Sequence, residues 1–218
     1  MLDMLHGTRE LIDIGSDHGI LCAYAVTTGK AAHAIAADIS ADSLGKARAL
    51  IKELSLEDRV SFAVSDGFLS IDTDEESYSA VIAGMGGELI ARILEGGGEK
   101  AERAAEIAMQ PMGGAKELRK YLYANGFNIT DESVIEDGGR YYQLILAHYD
   151  GIARPTPAGG LLEFGEIAYQ KREAALKKLL DGVCATRSRK LENAMQGGAA
   201  PKELINDLHD AEKLRAEW

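Results

Sequence analysis

The chain has 218 residues, 46% of them hydrophobic and 27% charged, which is the make-up of a soluble globular protein with one full domain and a small appendage. No run approaches the ~20 apolar residues of a membrane span, and the start, Met1–His6, lacks the basic and apolar regions of a secretory signal. Two cysteines, Cys22 and Cys184, exclude a disulfide framework or a four-cysteine zinc site, and a formal charge of −11 excludes a protein that coats nucleic acid indiscriminately; a cytoplasmic protein with reduced thiols is expected.

Taken in chain order, short apolar runs alternate with helical patterns. Leu11–Ile14 predicts a strand ending at a glycine, and Ile20–Thr28 a helix. His33–Asp38 predicts a second strand ending in an acid, and Ser40 can cap a helix running to about Ser55. Strands are expected at Val60–Val64, Tyr78–Ala83 and Glu106–Gln110. Helices are expected at Glu88–Leu94, stopped by Gly96-Gly97-Gly98, and at Lys116–Asn125, closed by Gly126. Such alternation indicates βαβ units and a parallel sheet. Phe127–Glu136 and Arg140–Tyr149, joined by Asp137-Gly138-Gly139, then read as an antiparallel hairpin closing one edge.

Arg154–Gly160 reads as a linker. Beyond it Leu176, Leu180, Val183, Arg187, Leu191 and Ala194, then Leu204, Leu208, Ala211, Arg215 and Trp218, recur at spacings of three and four around a turn at 197–201. Two amphipathic helices with a narrow shared seam form a coiled-coil-like hairpin that buries little surface alone and needs the sheet to pack on. Charge follows the same division. Residues 1–150 hold 13 basic and 25 acidic side chains and residues 151–218 hold 11 and 10. Within 171–190, Lys171, Arg172, Lys177, Lys178, Arg187, Arg189 and Lys190 face only Glu173 and Asp181, a stretch able to hold a phosphate backbone.

The sharpest motif is Asp13-Ile14-Gly15-Ser16-Asp17-His18-Gly19, between a strand and a helix. Gly15 permits a sharp turn and close approach to a ligand, and the helix beginning near Gly19 offers free N–H groups. Asp38, at the end of the second strand, is placed to accept hydrogen bonds from ribose hydroxyls. Asp17 stands where the dinucleotide fingerprint has its middle glycine, and a carboxylate there would repel a pyrophosphate. A ligand with a cationic centre fits better. The arrangement resembles the first motif of class I S-adenosylmethionine methyltransferases, whose cofactor carries an ammonium and a sulfonium; Ser65-Asp66-Gly67 fits the place where such enzymes hold the adenine amino group.

The likeness extends further. Ile12–His18, Ile82-Ala83-Gly84-Met85-Gly86-Gly87, Gln110-Pro111, Leu118–Leu122 and Arg140-Tyr141-Tyr142 occur in order, and together they resemble the bacterial tRNA (adenine-N1)-methyltransferases that modify adenine 22. Met112 and Gln143 depart from that family's usual residues. The resemblance implies a Rossmann-like class I methyltransferase sheet, mostly parallel with an antiparallel C-terminal hairpin, over residues 1–157. A tRNA-gripping helical hairpin follows over 158–218. It implies S-adenosylmethionine held by Asp13, Gly15, Ser16, Gly19, Asp38, Ile39, Asp66, Gly67, Ala83, Gly84, Met85 and Gly86, with Asp17 as the catalytic carboxylate acting on the base or holding only the cofactor. Substrate contacts are expected from His18, Arg119, Arg140, Tyr142, Lys177, Lys178, Arg187 and Arg189, with Tyr141 and Tyr142 offering stacking faces. Adenine N1 needs no base to deprotonate it, and the absence of an Asn/Asp-Pro-Pro-aromatic motif at the fourth strand argues against amine methylation. Scattered histidines predict no metal; a monomer with no membrane partner is expected. The competing readings are a methyltransferase acting on another RNA or a small molecule, and a silent cofactor-binding module.

Overall fold

The computed structural model describes residues 1–73, 75, 77–198 and 200–218. The predicted alternation is present: β1 (Thr8–Ile14), α1 (Ile20–Thr27), β2 (Ala31–Asp38), α2 (Ala41–Glu53), β3 (Val60–Val64), β4 (Ser79–Gly86), α3 (Gly87–Gly97), α4 (Glu99–Glu102), β5 (Glu106–Gly113), α5 (Ala115–Ala124), β6 (Phe127–Asp137) and β7 (Arg140–Tyr149). The sheet order is β3-β2-β1-β4-β5-β7-β6. β1 to β5 are parallel, and β7 runs antiparallel to both β5 and β6. The order reverses between β1 and β4, and a ligand crevice forms at that switch point outside the carboxyl ends of the strands.

Alternate side chains divide the core between the two faces of the sheet. Ile12, Ile82, Ile107 and Ile145 pack with Ile90 of α3 and Leu118 of α5. Leu11, Val81 and Leu146 pack with Cys22 and Val26 of α1 and Leu44 and Ile51 of α2. Ser40 caps α2, its side chain accepting from the Ser43 N–H. At the β6–β7 turn Gly138 and Gly139 both have positive φ, 55° and 75°, the requirement of a type I′ hairpin turn.

Two strands outrun the sequence expectation. β4 continues past Ala83 to Gly86 and β5 past Gln110 to Gly113, paired with each other through irregular register at Met85. Glycine has little intrinsic strand preference; the neighbouring strand supplies the ladder that local sequence does not signal. β7 has a further consequence for position. Its register with β5 pairs Met109 with Ile145, so each step towards the carboxyl end of β5 moves one step back along β7. Arg140, Tyr141 and Tyr142 therefore lie towards the carboxyl edge, where Tyr141 and Gly113 line one cleft.

After β7 come α6 (Gly160–Phe164), α7 (Glu166–Gln170), α8 (Ala174–Gln196) and α9 (Lys202–Ala216). The predicted turn at 197–201 includes Ala199, which lies outside the described residues. Leu176, Leu180 and Cys184 of α8 meet Leu208 and Ala211 of α9 over Phe164 and Val134 of β6, so the helical pair is packed on the sheet, as its narrow seam requires.

Candidate active site

The loop after β1 is stitched to β2: the N–H groups of Gly15 and Ser16 both donate to the Ala37 carbonyl, at 2.8 and 3.0 Å. Gly15 has φ +85°, and a Cβ built on it would lie 2.2 Å from Met85 Cε. The tip of β4 thus folds over the β1 loop, bringing two motifs 70 residues apart in sequence into contact. Asp13 is buried beneath this loop, 8% exposed, with the Cys22 thiol 3.9 Å from its Oδ2. Loss of hydration pushes its carboxyl up to about 6, and Asp38 adds to the shift because a like charge disfavours ionisation. Burial and the Asp13 charge together push the Cys22 thiol up, which leaves it unreactive. The Ser16 hydroxyl is buried beside Asp13 and has no hydrogen-bond partner within bonding geometry among the described residues. A buried acid without a cation and a buried hydroxyl without a partner are both groups that a polar, positively charged ligand would satisfy.

The neighbouring strand ends complete the crevice. Asp38 accepts from the Ser40 N–H at 2.7 Å through Oδ1, Oδ2 has no partner among the described residues, and the adjoining Ile39 is 70% exposed. Ser65 shapes the turn after β3 by donating to the Gly67 carbonyl and accepting from the Ser70 N–H, which leaves Asp66 exposed beside buried Gly67. Gln110 of β5 accepts from the Gly84 N–H at 3.1 Å and donates to the Pro111 carbonyl at 3.0 Å, fixing Ala83–Gly86 against β5. Gly19 starts α1 against Ala47 of α2. Gly87 matters by its lack of a side chain, since a Cβ there would lie 2.0 Å from the Gly114 carbonyl oxygen. Gly87→Ala is therefore expected to force α3 off the β5–α5 turn and cost about 1–3 kcal/mol, seen as a lower urea midpoint; an unchanged midpoint would show that the turn yields freely.

Asp17 is half-exposed and already partnered. Oδ1 accepts from Lys46 at 3.1 Å, and Oδ2 lies 3.0 Å from His18 Nε2. The Lys46 hydrogen bond holds its carboxyl below the usual range, so Asp17 is ionised at neutral pH. Lys46 carries no motif, and its part here is visible only in the structure.

The expected RNA contacts are distributed differently from the sequence reading. Arg119 is not a phosphate ligand: it is 1% exposed. Its Nε donates to Glu132 at 2.6 Å, one terminal nitrogen to the Leu162 and Glu163 carbonyls and the other to Gln143 at 2.8 Å. It ties α5, β6 and β7 to α6, and Gln143 fits as a neutral acceptor because Glu132 already supplies the charge. The available signal was its place beside the Leu118–Leu122 stripe of α5. Much of the 171–190 charge is also engaged within the chain. Lys171 pairs with Asp131, Lys178 with Glu136, and Arg187, 17% exposed, with Glu163. Arg172 lies over Tyr169 and Trp218. Lys177 has only a 3.9 Å contact with Asp181, and Arg189 and Lys190 are exposed with no ion pair among the described residues. Strand alternation separates the tyrosines: Tyr141 packs against the helical pair, whereas Tyr142 lies on the opposite face with Leu144 and Leu146. Tyr142 does not face the helices that the basic residues occupy, and Arg140 is exposed at the hairpin turn.

A mostly parallel sheet with β7 inserted antiparallel, carrying acids at the ends of β1 and β2 and a glycine-rich tip on β4, is the frame of a class I methyltransferase. Residues 1–145 match the methyltransferase domain family. The chain is 34% identical over 185 residues to the tRNA (adenine(22)-N(1))-methyltransferase of Bacillus subtilis, covering 82% of this chain and 76% of that protein. The fold is shared with the crystal structure of the B. subtilis M1A22 tRNA methyltransferase TrmK, with TM-score 0.74, 26% identity, and coverage of 95% of this chain and 91% of that one. It is shared also with M. capricolum TrmK in complex with S-adenosyl-homocysteine, with TM-score 0.81, 20% identity, and coverage of 99% and 94%. The chain belongs to the tRNA (adenine(22)-N(1))-methyltransferase family.

Proposed function

We infer that the protein transfers a methyl group from S-adenosylmethionine to N1 of the adenine at position 22 of tRNA. One observation carries this reading: an acid-lined crevice at the strand ends, in a chain 34% identical over 185 residues to an enzyme of that activity. S-adenosylmethionine supplies the methyl group from a sulfonium and also carries an ammonium. Asp13 answers that positive charge from below the Gly15 loop, and the partnerless Ser16 hydroxyl gains a hydrogen-bond partner. Asp38 takes the ribose hydroxyls through its free oxygen, Ile39 gives an apolar face beside it, and Asp66 with Gly67 receives the adenine amino group. Residues 1–157 hold the cofactor and 158–218 grip the RNA, and the protein acts as a monomer in the cytoplasm, where tRNA resides.

Adenine N1 presents an in-plane lone pair and bears no proton, so the chain need not supply a base. Its work is to hold the base in line, an effect worth up to ~7–11 kcal/mol. The glycines at 84 and 86, both exposed and with nothing within 4 Å of a Cβ, let the base approach the backbone of β4. Asp17, kept ionised by Lys46, accepts from the exocyclic amine and favours the cationic product, with His18 beside it. N1 lies on the pairing edge, so a paired adenine must leave its stack to reach this site.

Incubation with labelled S-adenosylmethionine and bacterial tRNA is expected to yield 1-methyladenosine, and a tRNA with adenine 22 replaced should take up no label. Equal labelling of both would overturn the position assigned. Asp17→Asn should lower kcat by roughly 10²-fold with little change in cofactor Kd; loss of cofactor affinity instead would assign Asp17 to the cofactor.

A further inference from the structure

Two clefts adjoin at the seam between the sheet and the helical pair, each of about 380 Å³, and Tyr141 and Arg187 line both. The first is polar, bounded by Gly113 and Gly114 of the β5–α5 turn with Gln143, by Lys116 and Arg187, which pair with Asp207 and Glu163, and by the further carboxylates of Glu117 and Glu203. It opens at the tip of β5, where Gly113 pairs with Gly86 of β4, next to the glycines assigned to the target base. The second is apolar. It runs along α8 over Leu179, Gly182, Val183, Thr186 and Arg187 to Lys190, successive turns three and four residues apart that form one helix stripe. Both volumes suit a small-ligand site.

We propose that this double cleft receives a nucleotide of the substrate RNA next to the target adenine, with its base stacked on the Tyr141 ring and its phosphate towards Lys190. The inference rests on the tRNA reading above and extends it to a specific subsite. Position and the Lys190 cation select the occupant, and the carboxylates of the polar arm can accept from the amino group of a base. Lys190 is exposed and has no ion pair among the described residues, so the apolar arm ends on an available cation. The polar arm leads directly to the strand tips where methyl transfer takes place. A base needs an aromatic face, hydrogen-bonding groups for its edge and a cation for its phosphate, and Tyr141, the Gln143 amide N–H with the Glu117 and Glu203 carboxylates, and Lys190 supply these in that order. An apolar protein segment would find the polar arm unsuitable, and a small polar metabolite would not use the α8 groove.

Two variants test this from opposite walls. Tyr141→Leu removes the ring but keeps an apolar side chain against the helices, with Tyr141→Phe as the rescue. Gly182→Leu fills the groove from α8, where a Cβ meets nothing within 4 Å, and leucine favours the helix more than glycine does. Tyr141→Leu and Gly182→Leu are each expected to weaken tRNA binding, measured by fluorescence anisotropy, by roughly 5- to 150-fold and to raise KM for tRNA. Tyr141→Phe should stay near wild type, cofactor Kd should be unmoved, and Gly182→Leu should keep the wild-type melting temperature or exceed it. Wild-type tRNA affinity and KM in folded Gly182→Leu, whatever the fate of the Tyr141 variants, would overturn the subsite while leaving the methyltransferase reading intact. Failure of the wild-type protein to bind or methylate any tRNA would overturn both.

Discussion

Asp13→Asn is expected to raise the stability of the ligand-free protein at pH 8 by roughly 3 kcal/mol while removing most of its affinity for S-adenosylmethionine. Burial raises the Asp13 carboxyl from 3.8 to about 6, and one unit of such a shift corresponds to about 1.4 kcal/mol. The sign follows from linkage. A folded-state value above the unfolded one means that the proton bound to Asp13 contributes stability in full below pH 3.8, and that this contribution is lost as pH rises through 6. Above that point the fold carries a buried, unbalanced carboxylate. Asparagine carries no charge, so its advantage should be large at pH 8, equivalent to roughly 6–12 °C in Tm for a chain of this size, and should vanish near pH 4. Cofactor binding has the opposite dependence. A cation beside Asp13 favours the ionised form, so binding releases a proton and affinity should grow as pH rises from 5 towards 7, by up to about tenfold per unit. Calorimetric titrations in buffers of different ionisation enthalpy would detect the released proton. A wild-type Kd flat across that interval, or an Asp13→Asn protein no more stable at pH 8 than at pH 4 relative to wild type, would remove Asp13 from the cofactor site.

Arg119→Met is expected to cost about 3–5 kcal/mol, because it strands Glu132 as an uncompensated buried charge. Both partners are 1% exposed, and with the guanidinium gone the Glu132 side chain keeps, among the described residues, only the Ile167 N–H, at 2.9 Å. The double variant Arg119→Met/Glu132→Gln should recover much of the loss, since a neutral amide can still accept from Ile167 and no charge remains. Hydrogen exchange should locate the damage: faster exchange in α6 and α7, which Arg119 and Glu132 anchor to the sheet, with β1–β4 unaffected. Arg119→Lys keeps the charge but cannot reach Glu132, Gln143 and two carbonyls together, so it should fall between wild type and Arg119→Met. A folded Arg119→Lys protein with normal stability but a reduced salt dependence of tRNA binding would restore Arg119 to the RNA surface.

The sequence alone was informative wherever a local signal had a local cause. Period and punctuation placed β1 to β7 and the two long helices. Asp137-Gly138-Gly139 marked the hairpin because only its backbone conformation was at stake. Asp13, Asp38 and Asp66 were recognisable as acids at strand ends because a parallel sheet presents those ends on one edge. The ladder carrying β4 and β5 through glycines was not legible, because it depends on a partner strand rather than on the residues themselves.

The amino-acid order by itself thus determined the alternating fold, the acid-tipped strands, the helical pair and the family. The tertiary structure decided which charges and rings remain available for RNA. Arg119, read as a surface cation on α5, reaches carbonyls 43 and 44 residues away and is buried there. Tyr141 and Tyr142, equivalent as neighbours in sequence, fall on opposite faces of β7, and packing of α8 on one of them makes a cleft with Tyr141 alone. Burial and pairing depend on what stands opposite a side chain in space, and segments distant in the chain meet there only after the sheet has formed.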